Sequence, residues 1–196
     1  MKWIIAGLGN PEPTYKGTRH NAGRAVVDML RSEQEFSEWE YKKPYDAMVS
    51  RGTIGGSDAL LIVPETYMNE SGRSLISLVK NPAALEHLIV VYDDIDLPIG
   101  TWKISWDRGS GGHNGVRSVI AALKSKAFIR VRVGISPLGT DGFIKKPKGK
   151  EVVLSSVLGK FTPEERTIMK KVGREICLAI PVILKERRER AMERFN

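Results

Sequence analysis

Residues 2–11 read Lys-Trp-Ile-Ile-Ala-Gly-Leu-Gly-Asn-Pro, and this stretch decides how the rest of the chain is read. Lys2 to Ala6 is short, apolar and rich in isoleucine, the signature of a buried strand. Glycines follow it at once, which is how a dinucleotide-binding fingerprint begins. That reading fails in its context. Glu12 stands where the third glycine belongs, and Pro11 and Pro13 prevent a helix from starting cleanly. The glycines serve instead to turn the backbone sharply at a strand end. Asn10 is then either aimed into a cleft or bonded to its own turn.

Working outward, Ala59 to Val63, Leu88 to Tyr92 and Ile129 to Ile135 are further strand candidates. In the last of these Arg130 and Arg132 alternate with Val131 and Val133, which predicts one core face and one wet, cationic face. Val116, Val119, Ile120 and Leu123 fall at helical spacing after the glycine-rich Gly109 to Gly115. Ala25, Met29 and Leu30 predict a helix following His20-Asn21. Thr162-Pro163-Glu164-Glu165 has the form of a capping box with proline at the first helical position. The C-terminal helical segment, about 162–196, runs towards Pro181, which is expected to break or kink it. Lys185 to Arg194 mixes both signs of charge and reads as a solvated helix end. Gly139 to Lys150 reads as a mobile basic loop, either a solvated insertion or a contact for a polyanion. Alternating strands and helices predict an α/β fold: one domain spanning 1–196, with a mixed twisted sheet flanked by helices.

The composition agrees. The chain has 196 residues, 41% hydrophobic and 28% charged, enough to bury roughly two thirds of its unfolded surface. The opening apolar stretch is too short for a secretory leader, and no run approaches the ~20 residues of a membrane helix. The single cysteine, Cys177, rules out an intramolecular disulfide, and no Cys/His set has zinc-finger spacing. A reducing cytoplasm is the expected location. The formal net charge of +8 favours a polyanionic partner, its bland alternative being a basic surface that keeps the protein soluble. Aromatic residues, at 7%, are too few for a broad base-stacking platform.

Four segments carry polar residues where strands end. Besides Asn10 there is Thr18-Arg19-His20-Asn21-Ala22-Gly23, whose histidine titrates near neutrality and suits general-base work. Of the three histidines, His20 and His113 lie in Gly/Asn-rich segments. Thr66 to Gly72 contains Asn69, which reads otherwise as a helix cap. Asp93, Asp94 and Asp96 end the most apolar strand. Oxygen ligands there suit Mg²⁺ or Ca²⁺, yet calcium-loop spacing is absent; a strand-end carboxylate that orients a histidine is the stronger reading. Gly109 to Gly115 reads as an anion nest or a lid hinge. The chain has no Gly-x-Ser-x-Gly, no His-Glu-x-x-His and no P-loop. A hydrolase built from these residues would use activated water.

Taken together and in this order, the segments resemble bacterial-type peptidyl-tRNA hydrolases. The matching stretches are Gly7 to Pro11, Tyr15, Thr18 to Gly23, Thr66 to Asn69 with Ser71-Gly72, Asp93 with Leu97-Pro98, and Gly111 to Gly115. The resemblance implies that His20 is the general base, that Asp93 orients it and that Asn10 senses the first peptide bond of the substrate. It implies that Asn69 and Asn114 bind substrate, and that Tyr15, Tyr67 and Met68 line the cleft with His113 nearby. It implies no cofactor, no metal, tRNA as the nucleic-acid partner, no membrane and a monomer. Two basic residues of the family clamp a tRNA phosphate. Arg132 matches one, but Ser105 occupies the other position, with Lys103 on the same strand face as a substitute. The rival readings are an RNA-binding protein on the same scaffold and a metal-dependent hydrolase using Asp93, Asp94 and Asp96.

Overall fold

The first apolar run becomes the middle of the sheet. In the computed structural model, which describes residues 2–139, 143–144, 147 and 149–196 and leaves out the side chains of Lys150 and Arg187, β1 spans Trp3–Gly7 and is buried throughout. A 3-10 turn, Arg19–Asn21, leads into α1, Ala22–Glu33. β2 (Glu40–Lys42), β3 (Ala47–Ile54) and β4 (Ser57–Pro64) follow, then a second turn, Met68–Glu70. Two short helices, α2 (Arg73–Ile76) and α3 (Pro82–Leu85), lead to the long strand β5, Leu88–Pro98. β6 (Trp102–Trp106), α4 (Asn114–Leu123) and β7 (Ile129–Ser136) precede α5 (Lys150–Leu158) and α6 (Pro163–Phe195).

The seven strands form one sheet in the order β2-β3-β4-β1-β5-β7-β6. The pairs β4-β1, β1-β5 and β5-β7 are parallel, while β2-β3, β3-β4 and β6-β7 are antiparallel. The sheet is mixed, as the alternation of segments predicts. Both faces of its centre are apolar because both are covered. Ile5, Leu61, Ile89 and Val91 pack with α1 and α6 residues on one face. Ala6, Ile62, Val90 and Tyr92 pack with Val116 and Val119 of α4 on the other.

Close approach of helix to strand positions the site. A Cβ on Gly23 would lie 2.2 Å from the Val91 carbonyl oxygen, and one on Gly7 would lie 2.7 Å from that of Gly23. The start of α1 therefore sits directly on β1 and β5, and carries the turn before it to the end of β5.

Expectation and structure differ in part at three places. The capping box forms, with Thr162 N donating to Glu165 at 2.9 Å and Glu165 N to the Thr162 hydroxyl at 3.2 Å. Of the break or kink expected at Pro181, the break does not occur: one helix runs from Pro163 to Phe195. Proline costs about 3 kcal/mol inside a helix, and the fully buried Ala179, Ile180 and Ile183 around it hold the flanking turns in place. The segment Lys185 to Arg194 is solvated on its charged side, with Lys185, Glu186, Glu189, Arg190, Glu193 and Arg194 exposed, but its other side is docked. Ala191 is buried, Met192 and Phe195 pack against the core, and the Arg188 guanidinium lies 3.9 Å from the Trp106 ring centroid. Asn196 completes the docking: Ile104 N donates to its side-chain oxygen at 2.8 Å and its amide nitrogen donates to Ile104 O at 3.0 Å. The predicted wet face of β7 is only half right, because Arg130 is 0% exposed. β7 lies between β5 and β6, and the segment after β6 folds back over the arginine.

Lys145, Lys146 and Lys148 of the expected basic loop lie outside the described residues; next to them, Leu138 and Ile144 form an antiparallel bridge. Among the described residues no helix is long and apolar enough to cross a membrane.

An alanine in place of a helical glycine ordinarily stabilises by up to ~1 kcal/mol. Gly23→Ala is expected to do the opposite and destabilise by about 2–3 kcal/mol, because the methyl has no room against Val91. The urea midpoint of the two proteins checks the sign.

Candidate active site

β5 runs on past the end of β1 and delivers Asp93 to the carboxyl end of the parallel strands, where the carboxylate is 1% exposed. Two histidines from separate segments meet it there. The 3-10 turn before α1 brings His20 Nδ1 to 2.9 Å from both carboxylate oxygens. From the other side His113 Nε2 approaches Asp93 Oδ1 at 2.9 Å. The rings of the two histidines lie 4.9 Å apart at 56°, and the Tyr92 ring meets His113 edge-on at 4.9 Å.

The bonds fix the tautomers. His113 caps α4, its Nδ1 accepting from Val116 N at 3.2 Å. That nitrogen therefore carries no proton, and Nε2–H donates to Asp93 from a neutral ring. His20 donates Nδ1–H to the same carboxylate, which leaves its Nε2 as an open acceptor. Burial opposes a charge on His20, but the Asp93 charge and hydrogen bond outweigh it and raise the imidazole above its ordinary pKa. Burial likewise opposes ionisation of Asp93, yet the two histidines hold its carboxyl well below the usual carboxylate range.

Asn10 is positioned by the turns around it. Its backbone N donates to Asn21 Oδ1 at 2.8 Å and Asn21 Nδ2 returns a bond to its carbonyl at 3.0 Å. Its side-chain oxygen accepts from Met68 N at 2.8 Å. The amide nitrogen of Asn10 makes no bond among the described residues, so the group this side chain offers is a pair of N–H donors. Arg19 secures the turn from outside through Glu165 at 2.6 Å and Ile135 O at 3.2 Å.

A cleft of about 570 Å³ opens in front of His20 and Asp93. One wall is the loop Ser110 to Asn114 with Arg117, and Asn114 Oδ1 accepts from Arg117 at 2.9 Å. The opposite wall is Val153, Leu154 and Val157 of α5. Tyr15, Tyr67, Met68 and Asn69 are not among the residues lining this cavity. Tyr67 is 60% exposed and Asn69 is exposed on the turn whose buried Met68 packs towards Gly115 at the start of α4. Tyr15 is half-buried and accepts the Thr18 hydroxyl on its carbonyl at 2.9 Å. Lys103 and Arg132 face each other across β6 and β7, and Arg132 Nε donates to Asp94 Oδ2 at 2.7 Å. Ser105 lies opposite Arg130, and both are buried.

Sequence reasoning missed three contributors. Asn21 is one, an amide hidden in a motif dominated by His20. The α5 wall is the second; its apolar residues show no clear face. The third is the full role of His113, because only the fold brings it to Asp93.

The ligand atoms of His20, Asp93 and His113 lie within 4.8 Å of one another. As arranged, each imidazole nitrogen facing the carboxylate already donates to it, so the three bond one another rather than opening towards an ion. Asp93, Asp94 and Asp96 do not converge either. Adjacent strand residues face opposite ways, and Asp94 is engaged by Arg132 and by Asp96 N.

These features define a class: an α/β protein with a histidine–carboxylate centre in an open cleft at the carboxyl ends of its parallel strands. The peptidyl-tRNA hydrolase family matches the sequence over residues 4–196. A peptidyl-tRNA hydrolase of Caldanaerobacter subterraneus subsp. tengcongensis is 39% identical over 199 residues, covering 99% of both chains. That of Syntrophotalea carbinolica is 35% identical over 194 residues, 98% of this chain and 96% of its own. The crystal structure of peptidyl-tRNA hydrolase from Acinetobacter baumannii superposes with a TM-score of 0.87 at 30% identity, over 99% of this chain and 94% of that one. The chain belongs to the peptidyl-tRNA hydrolase family.

Asp93→Asn removes the charge that raises His20 but leaves its burial in place. The His20 pKa is therefore expected to fall below that of the wild type, as followed by histidine NMR titration.

Proposed function

We propose that this chain hydrolyses the ester bond of peptidyl-tRNA, releasing free tRNA and peptide, with a water molecule activated by His20. The observation that carries the mechanism is the buried pair: His20 gives Nδ1–H to Asp93 and keeps Nε2 open beside the cleft. Nε2 takes a proton from water as its oxygen attacks the ester carbonyl, and the same proton then serves the departing ribose oxygen. Asp93 stabilises the imidazolium formed between these steps, as the carboxylate of a catalytic triad does.

Asn10 supplies selectivity. Met68 N occupies its oxygen, so its amide nitrogen is free to donate to the carbonyl of the first peptide bond. An unblocked aminoacyl-tRNA has no carbonyl at that place, and a donor left unpaired there costs about 1–3 kcal/mol. Asn114 and Asn69 assist in binding substrate, with Tyr15, Tyr67 and Met68 towards the peptide and terminal adenosine. Lys103 and Arg132 form the phosphate clamp, the lysine taking the part that the buried Ser105 cannot. The excess of 31 Lys and Arg over 23 Asp and Glu supports a tRNA partner. We place the reaction in the cytoplasm, carried out by a monomer without metal.

The base must be neutral to work, so kcat/KM is expected to rise with pH through the raised pKa of His20 and then level off. Asp93→Asn is expected to move that limb to lower pH as it lowers the rate; an unchanged profile removes Asp93 from the pairing. The decisive experiment compares N-acetyl-aminoacyl-tRNA with unblocked aminoacyl-tRNA in EDTA. Fast release is expected from the blocked substrate alone, and His20→Ala should lower it by at least ~10²-fold. No release by a folded protein that still binds tRNA would turn the assignment to an RNA-binding protein. Loss of activity in EDTA would turn it to a metal enzyme.

A further inference from the structure

We infer that Arg130, which touches no reacting group, is a positioning residue that sets His113 and through it the Asp93–His20 pair. The inference rests on the hydrolytic reading above. Arg130 is 0% exposed, and taking an ion fully out of water costs several kcal/mol even after relaxation. Its partners are backbone carbonyls: Gly109 O at 2.6 Å, Arg108 O, and Lys126 O at 3.4 Å. Its guanidinium also lies 4.6 Å from the centroid of the Phe128 ring. A buried cation of this kind is a poor source of stability, since an apolar side chain of similar volume often serves as well or better. What it supplies is a fixed arrangement of the carbonyls it gathers.

Two of those carbonyls, of Arg108 and Gly109, open the loop that ends in His113. Between β6 and α4 the backbone is in the left-handed region at Asp107, Gly111 and Gly112, so neither strand nor helix holds it. Arg130 pins the near end of that loop, and the His113 cap on Val116 N fixes the far end. The Tyr92 ring stands edge-on to His113 at 4.9 Å. Loop and ring together hold His113 Nε2 against Asp93 Oδ1. If the loop drifts, Asp93 loses one of its two donors and His20 loses its orientation. Ser105, directly opposite Arg130 on β6, is small enough to leave the guanidinium room.

The test uses Arg130→Lys, which keeps the charge but has no planar fork to gather the carbonyls. Misplacement of a catalytic group by about 1 Å can cost ~10²-fold; the variant is expected to lose ten- to a hundredfold in kcat with KM little changed. In ¹⁵N-histidine NMR, the fixed Nε2–H tautomer of His113 is expected to give way to a mixture. A raised KM at unchanged kcat would make Arg130 a substrate contact and overturn the inference. So would a lowered Tm with kcat and tautomer unaltered, which is the mark of a purely structural role. Should Arg130→Lys not fold, Arg130→Met puts an apolar side chain of similar volume in its place that gathers no carbonyls, and an unaltered His113 tautomer there overturns the inference as well. If the wild type itself fails to cleave the blocked substrate, the hydrolytic reading falls while the tautomer still decides the positioning.

Discussion

A carboxylate that is 1% exposed cannot remain ionised unless the protein replaces the water it has lost. Asp93 meets that demand with two N–H donors, from His20 and His113. The donors come from opposite sides of the sheet's end, and each must arrive at hydrogen-bonding distance. The tight seat of α1 on β1 and β5 brings one of them. The docking of α4 and its preceding loop brings the other. Much of the fold between residues 7 and 130 can be read as the means of holding those two approaches fixed.

The parallel centre of the sheet explains why the site lies where it does. β1 and β5 are parallel neighbours, and at the same end the chain leaves β1 for α1 on one face and β5 for β6 at the border of the sheet. A crevice opens at such ends, between connections that depart in different directions. Backbone groups freed there are recruited locally: Met68 N by Asn10, Asn10 N by Asn21, Val116 N by His113. The polar residues of the site thus hold its turns together. Asn10 keeps its amide N–H groups facing outward, while Asn21 and His113 commit both of their polar groups within the site.

Much of this was legible in the sequence. β1, β4, β5 and β7 are short apolar runs whose burial on both faces leaves a plain signal, and the Thr162 capping box is local chemistry. His20, Asn10 and Asp93 stand out because each is a polar residue at the end of such a run. What could not be read depends on distance along the chain. That His113 shares Asp93 with His20 requires β5 to lie between two loops over 90 residues apart. Arg130 looks like any alternating strand residue until β6 and its following loop close over it. The α5 wall was missed because Val152, Val153 and Leu154 run together without a clear face. At the end of α6 the abundant charges mark the exposed side but mask Ala191 and Phe195, four residues apart on the buried side. Pro181 does not break α6, since packing of the turns around it outweighs one lost hydrogen bond.

Asn196 has a consequence beyond the docking of α6. A strand at the border of a sheet exposes main-chain groups that another polypeptide can zip onto, the first step in runaway self-association. Here the two groups of Ile104 are already taken by an amide that imitates the peptide unit of an adjoining strand. Any intruding chain must first dislodge that amide and the terminal turn behind it. The long helix therefore ends as a guard on the border of the sheet, and should help the protein stay dispersed when it is abundant.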